Sequence, residues 1–186
     1  MIYINDDLEN INLNDSLSLL PEQRKAKVMA IRSEAGRRQS VAAYLLLCEA
    51  LAKEYGITER PIFDYGENGK PFIVGHPDIH FNMSHCREAA VCAVATHPIG
   101  IDIESIRTFK ESLVRYTMND EEVAQILAHD HPDVAFISQW TRKEAALKLS
   151  GEGIRKNMKN VLVGYEGHLE TFVVQARGYI YSVAYQ

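Results

Sequence analysis

Ile99-Gly100-Ile101-Asp102-Ile103-Glu104 sets three isoleucines alternately against a glycine and two acids, the period-two pattern of a strand with one apolar face. On such a strand Asp102 and Glu104, at i and i+2, point the same way. Two carboxylates held together repel unless a cation or hydrogen-bond donors neutralise them. Oxygen ligands of this kind suit magnesium, especially where substrate phosphates complete the coordination. Read alone, the pair fits an exposed strand face with two solvated acids better than it fits a metal site.

Upstream of this strand, Gly66-Glu67-Asn68-Gly69-Lys70-Pro71 is turn chemistry, and residues 79–81 and 89–95 read as strands. Further back, Val41, Tyr44, Leu45, Cys48, Leu51, Ala52 and Tyr55 recur at helical spacing until Gly56 stops them. Residues 20–32 predict a helix starting near Pro21. A polar Asn/Asp-rich loop precedes it, and residues 1–4 alternate as a short strand does.

Downstream, Asn119 with Glu122 makes a capping-box start that Met118 and Val123 can staple, for a helix running to about 129. Pro132 suits the first turn of another helix, reaching about 149. Residues 161–165, 169–175 and 179–185 then predict antiparallel strands joined by glycine-containing turns. Strand, helices and strands thus occur twice, and Ala90–Ala95 is echoed by Ile180–Tyr185. The expectation is an α+β fold of two similar halves, 1–97 and 98–186, meeting near residues 97–99.

A chain of 186 residues, 46% hydrophobic and 24% charged, can bury a proper core as one domain or two small halves. A formal charge of −5 argues against a general nucleic-acid binder. Six basic residues nevertheless crowd into 24–38 (Arg24, Lys25, Lys27, Arg32, Arg37, Arg38), which suits either a solvated helix face or a docking patch for an anion or acidic partner. The start Met1-Ile2-Tyr3-Ile4-Asn5-Asp6-Asp7 is not that of a signal peptide. The longest apolar run, 41–48, is too short to span a bilayer. Cys48, Cys86 and Cys92 have no CxxC spacing and leave one thiol over, so no disulfide framework is expected. A cytoplasmic protein with no membrane contact is the expectation.

Three further groups carry possible chemistry. In the helix 132–149, at about 100° per residue, Phe136, Trp140 and Leu147 share a stripe, with Glu144 roughly 40° beyond Trp140 and Lys148 one turn on. A surface i,i+4 ion pair is the plainer reading, and the apolar flank counts against it. In Phe81-Asn82-Met83-Ser84-His85, Ser84 and His85 can bind a phosphate, although on their own a satisfied turn is the better reading. Pro71 stiffens its turn and can hold Lys70 at a defined spot, although by itself a solubilising loop lysine is the better reading. No nucleotide-loop, dinucleotide or zinc motif occurs.

Taken together, Gly69-Lys70-Pro71, Phe81-Asn82-Met83-Ser84-His85, Ile99–Glu104 and Trp140-Thr141-Arg142-Lys143-Glu144-Ala145-Ala146-Leu147-Lys148 match, in order and spacing, the motifs of the 4′-phosphopantetheinyl transferases of the surfactin-synthetase-activating type. The resemblance covers most of residues 20–155. It implies two α/β halves about a pseudo-twofold axis, with coenzyme A in the cleft between them. It implies magnesium on Asp102, Glu104 and Glu144, and phosphate contacts from Lys70, Ser84, His85 and Lys148. Arg37 or Arg38 would meet the 3′-phosphate, with a second contact from Arg24, Lys25 or Lys27. Glu144 would act as general base and Lys148 would stabilise charge on the phosphate. The implied reaction is Mg-dependent transfer of phosphopantetheine from coenzyme A to a serine of an apo acyl or peptidyl carrier protein, releasing 3′,5′-ADP. A non-catalytic coenzyme A or carrier-binding module and a Mg-dependent coenzyme A hydrolase are the alternatives. A monomer is expected. The carrier's pathway, its docking surface and any role of Glu121 or Glu122 at the metal stay open.

Overall fold

The computed structural model describes residues 1–151 and 157–186, so the end of the matched stretch, 152–155, lies outside the described residues. In chain order the first elements are β1 (Ile2–Asn5), α1 (Leu13–Ser18), α2 (Glu22–Met29), α3 (Glu34–Tyr55), β2 (Phe63–Tyr65), β3 (Pro71–Ile73), β4 (His80–His85) and β5 (Ala90–Ala95). There follow β6 (Ile99–Ser105), α4 (Glu111–Thr117), α5 (Asp120–Ala128), α6 (Pro132–Ser150), β7 (His168–Val174) and β8 (Tyr179–Tyr185). The architecture is α+β, with two antiparallel three-stranded sheets, ordered β1-β5-β4 and β6-β8-β7, each packed on helices. β2 and β3 form a separate hairpin.

Ala90–Val94 is buried throughout because β5 is the middle strand of its sheet and is covered on both faces. Side chains alternate, so Ala90, Cys92 and Val94 meet α3, where Val41, Tyr44, Leu47 and Leu51 are fully enclosed. Each of those buried aliphatic side chains contributes roughly 1.5–3 kcal/mol. Ala89, Val91 and Ala93 face the other way, against Ile99, Ile101 and Ile103 of β6 and Val183 of β8. The isoleucines of the opening motif therefore join the two sheets. Their alternates, Gly100, Asp102 and Glu104, fall on the face that α6 covers.

Several elements depart from expectation. α3 begins at Glu34, seven residues before its apolar stripe, because the Ser33 side chain accepts a hydrogen bond from the Gly36 amide and caps it. The Asn/Asp-rich loop contains α1, capped in the same way by Asn12. Residues 161–165 are not a strand. A short 3-10 turn (Met158–Asn160), started by Asn157, leads into turns through Gly164, whose φ of 68° no strand adopts. The capping box of α5 and the Gly56 stop of α3 are as expected. Among the described residues no helix is long and apolar enough to cross a membrane.

Candidate active site

Gly100 decides how closely β6 and α6 approach. A Cβ there would collide with the Ala145 carbonyl oxygen and lie 2.5 Å from the Leu149 nitrogen, so only glycine lets helix backbone rest on strand backbone. That contact delivers two consecutive turns of α6, carrying Glu144 and Lys148, to the acidic face of β6.

Lys148 Nζ lies 2.6 Å from Asp102 Oδ1 and 3.0 Å from Ser84 Oγ, and Ser84 donates to the same Asp102 oxygen at 2.9 Å. Asp102 Oδ2 and Glu144 Oε1 are both buried without a hydrogen-bond partner. Buried carboxylate oxygens are normally satisfied, so each of these two orphans has room in its hydrogen-bonding for a ligand. Glu104 is half-buried, with Arg107 3.9 Å away. Lys70, Asn82, Glu144, Lys148 and Gly151 line one cleft of about 240 Å³. Lys70 reaches into this region across the sheets, donating to the carbonyls of Leu149 (3.0 Å) and Ile99 (3.4 Å).

The electrostatics agree with one shared site. Burial, then the charge of Asp102, raises the Glu144 pKa against the opposing pull of Lys148. Glu104 is raised by burial and by Asp102, with a smaller push from Glu144, while Arg107 and Lys148 act the other way. The three acids therefore feel one another. His85 is exposed as a residue, yet desolvation by the surrounding protein, and then the charges of Lys148 and Arg24, hold its pKa down. Burial lowers that of Lys70. Among the described residues no three acid, histidine or cysteine side chains are already gathered as a cation cage. The donor set nonetheless fits a hard cation that takes one or two carboxylates plus substrate phosphates. The orphaned oxygens of Asp102 and Glu144 are the ones such an ion would satisfy.

Arg37 and Arg38 are not in this cleft. They line another of about 540 Å³ with Asn10, Asn12, Met29 and Glu34. Arg37 donates to the carbonyls of Ile31 and Met29, and Arg38 pairs with Glu34 at 2.5 Å. Arg24 is held at 2.9 Å by both oxygens of Ser40, and Lys27 by Tyr65. Glu122 is already engaged: one oxygen accepts from the Asn119 amide at 2.9 Å and from Lys143 at 2.6 Å. Lys143, fully buried, also donates to the carbonyls of Thr117 and Met158. Helical spacing alone left that lysine without a role, because its partners come from three other segments. Trp140 belongs to a larger apolar cleft of about 700 Å³ that begins at Glu104 and includes Phe109, Leu113, Tyr116 and Phe136.

Residues 98–174 match the family model described as the 4′-phosphopantetheinyl transferase superfamily. The chain is 26% identical over 156 residues to the 4′-phosphopantetheinyl transferase Sfp of Bacillus subtilis (strain 168), covering 82% of this chain and 70% of that protein. To the 4′-phosphopantetheinyl transferase HetI of Nostoc it is 31% identical over 159 residues, covering 81% of this chain and 67% of HetI. A shorter match, 37% over 117 residues, links it to the 4′-phosphopantetheinyl transferase gsp of Aneurinibacillus migulanus, with 59% of this chain and 48% of that protein covered. Both orphaned carboxylates, Lys148 and the glycine that seats α6 fall within the family-matched segment, and the chain belongs to the 4′-phosphopantetheinyl transferases.

Proposed function

We propose that the cleft between β4, β6 and α6 binds the pyrophosphate of coenzyme A, and that the protein passes the 4′-phosphopantetheine group to a serine hydroxyl of an apo carrier protein. The observation that carries this is the pair of unsatisfied buried oxygens on Asp102 and Glu144 beside the Lys148 ammonium. Asp102, Glu104 and Glu144 would hold a magnesium ion, whose charge offsets that of the pyrophosphate when it is bound.

The carrier serine attacks the phosphorus that bears the pantetheine arm. Its proton passes to the carboxylate of Glu144, whose raised pKa makes it a better base than an ordinary glutamate. The bond from that phosphorus to the oxygen bridging toward the nucleotide breaks, and 3′,5′-ADP leaves. Lys148 and Lys70 stabilise the charge growing on the phosphate oxygens, with Ser84 and His85 as further phosphate contacts. For the 3′-phosphate, Arg38 is more available than Arg37, since its partner Glu34 is largely exposed and such a surface pair is worth at most about 1 kcal/mol. Arg24, whose charge reaches His85, is the favoured second contact. The apolar cleft starting at Glu104 suits the pantetheine arm. The shared strand orders support reading residues 1–97 and 98–186 as two halves about a pseudo-twofold axis. We further take the protein to be a cytoplasmic monomer.

The test is to incubate the protein with coenzyme A, Mg²⁺ and an apo carrier protein and weigh the carrier. A gain of one phosphopantetheine is expected. Free phosphopantetheine with unmodified carrier would indicate hydrolysis, and no turnover would indicate a binding module.

A further inference from the structure

The two sheets meet where β4 runs beside β6, yet these strands share no backbone ladder: among the described residues β6 pairs with β8 alone and β4 with β5 alone. Side chains make the connection. Asn82 and Ser84 lie at i and i+2 on β4 and so face the same way. Asn82 Oδ1 accepts a buried hydrogen bond from the Ile101 amide at 3.0 Å, and Ser84 Oγ donates to Asp102 Oδ1. One rung holds the backbone of β6 and the next holds the side chain of its neighbouring residue.

We infer that Asn82 is a positioning residue for the transfer reaction: by gripping the Ile101 amide it fixes β6 along β4, and so sets where Asp102 meets Ser84 and Lys148. The geometry leaves little slack. Asn82 is 9% exposed and lines the cleft, while its neighbour Phe81 points the other way into the core against α3. Its partner amide directly precedes Asp102, so a slip at Ile101 is transmitted to the carboxylate through a single peptide unit. Without Asn82 the Ile101 amide is left buried and unpaired, and β6 must shift to find an acceptor. Groups that orient a metal-binding carboxylate from behind typically change metal affinity or activity about 10–100-fold when removed.

This inference rests on the reading of Asp102 as a cation ligand, and the experiment separates the two. Asn82→Leu keeps the number and branching of the side-chain heavy atoms and removes the acceptor. Asn82→Ser is too short to reach, and serves the same comparison if the leucine variant does not fold. Asn82→Asp keeps an acceptor oxygen at the same reach and loses the amide nitrogen. The readouts are kcat, KM for coenzyme A, the Mg²⁺ concentration giving half-maximal rate, and Mn²⁺ binding to the full chain by electron paramagnetic resonance without turnover. Leu and Ser are expected to weaken Mn²⁺ binding and raise the Mg²⁺ requirement about tenfold or more, with KM for coenzyme A little changed. The Asp variant should keep most of the binding. A raised KM with unaltered Mn²⁺ binding would show a direct substrate contact and overturn the role, as would an Asp variant as defective as the Leu variant. Asp102→Ala is run alongside. Mn²⁺ binding that survives it overturns the metal assignment, whereas binding lost there but intact in both Asn82→Leu and Asn82→Ser overturns the assignment of Asn82.

Discussion

Lys148 Nζ sits 2.6 Å from one oxygen of Asp102 while the other oxygen of the same carboxylate is buried with no partner. The lysine thus neutralises one side of an acid whose other oxygen has no hydrogen-bond partner. Lys148→Ala should lower kcat about 10²–10³-fold, the usual cost of removing one donor to developing charge. It also strips Asp102 of its counter-ion, so Mg²⁺ should raise the melting temperature of the variant more than that of the parent protein. Equal shifts in a thermal-denaturation series with and without Mg²⁺ would contradict this.

Gly100→Ala should be destabilising and nearly inactive together. The added methyl has no room against the backbone of Ala145 and Leu149, so β6 and α6 must part. Overpacking of this kind costs about 1–3 kcal/mol, a fall of several degrees in Tm. Because Glu144 and Lys148 move away with the helix, kcat should drop at least tenfold even where the variant is fully folded. A stable variant with full activity would disprove the close-approach argument.

Lys143 and Glu122 form a buried pair at 2.6 Å joining α6 to the start of α5. Lys143→Met or Glu122→Leu alone leaves an unpaired charge inside and should cost about 3–5 kcal/mol. The double variant should recover a substantial part of that loss. Urea denaturation of all four proteins measures the coupling, and simple additivity would remove the pair from the account.

Glu144 binds its proton more tightly folded than unfolded, since burial and Asp102 raise its pKa. Its stabilising contribution is therefore complete below the ordinary glutamate value of 4.5 and is lost as pH rises through the raised native value. Glu144→Gln, which cannot ionise, should melt higher than the parent at pH 7.5 without divalent cations, and the gap should close toward pH 4. Transfer should be abolished by the same change. A melting temperature no higher than the parent's at pH 7.5 would contradict the burial argument.

The acid face of β6 was legible in the sequence because period-two alternation puts Asp102 and Glu104 on one side whatever packs above them. Glu144 and Lys148 were legible as neighbours for the same local reason. What local pattern does not carry is which strand lies next to which. The bond from Asn82 to Ile101 spans 19 residues and the Lys143 network spans 15 to 26, so neither has a periodic trace. Arg37 and Arg38 show the opposite hazard: a basic run reads as one patch, but its members turn toward Ile31, Met29, Glu34 and Ser40 in different directions. Helix α1 was hidden because its capping asparagine has the composition of a loop.

β5 gives one face to α3 and the other to the isoleucines of β6. Severing the chain between residues 96 and 98 would bare Ala89, Val91 and Ala93 on one fragment and Ile99, Ile101 and Ile103 on the other. Co-expressed fragments would have a ready-made sticky surface for each other, whereas either one alone would be prone to aggregate. That makes this junction the natural place to cut for a two-piece enzyme whose labelling activity reports reassembly.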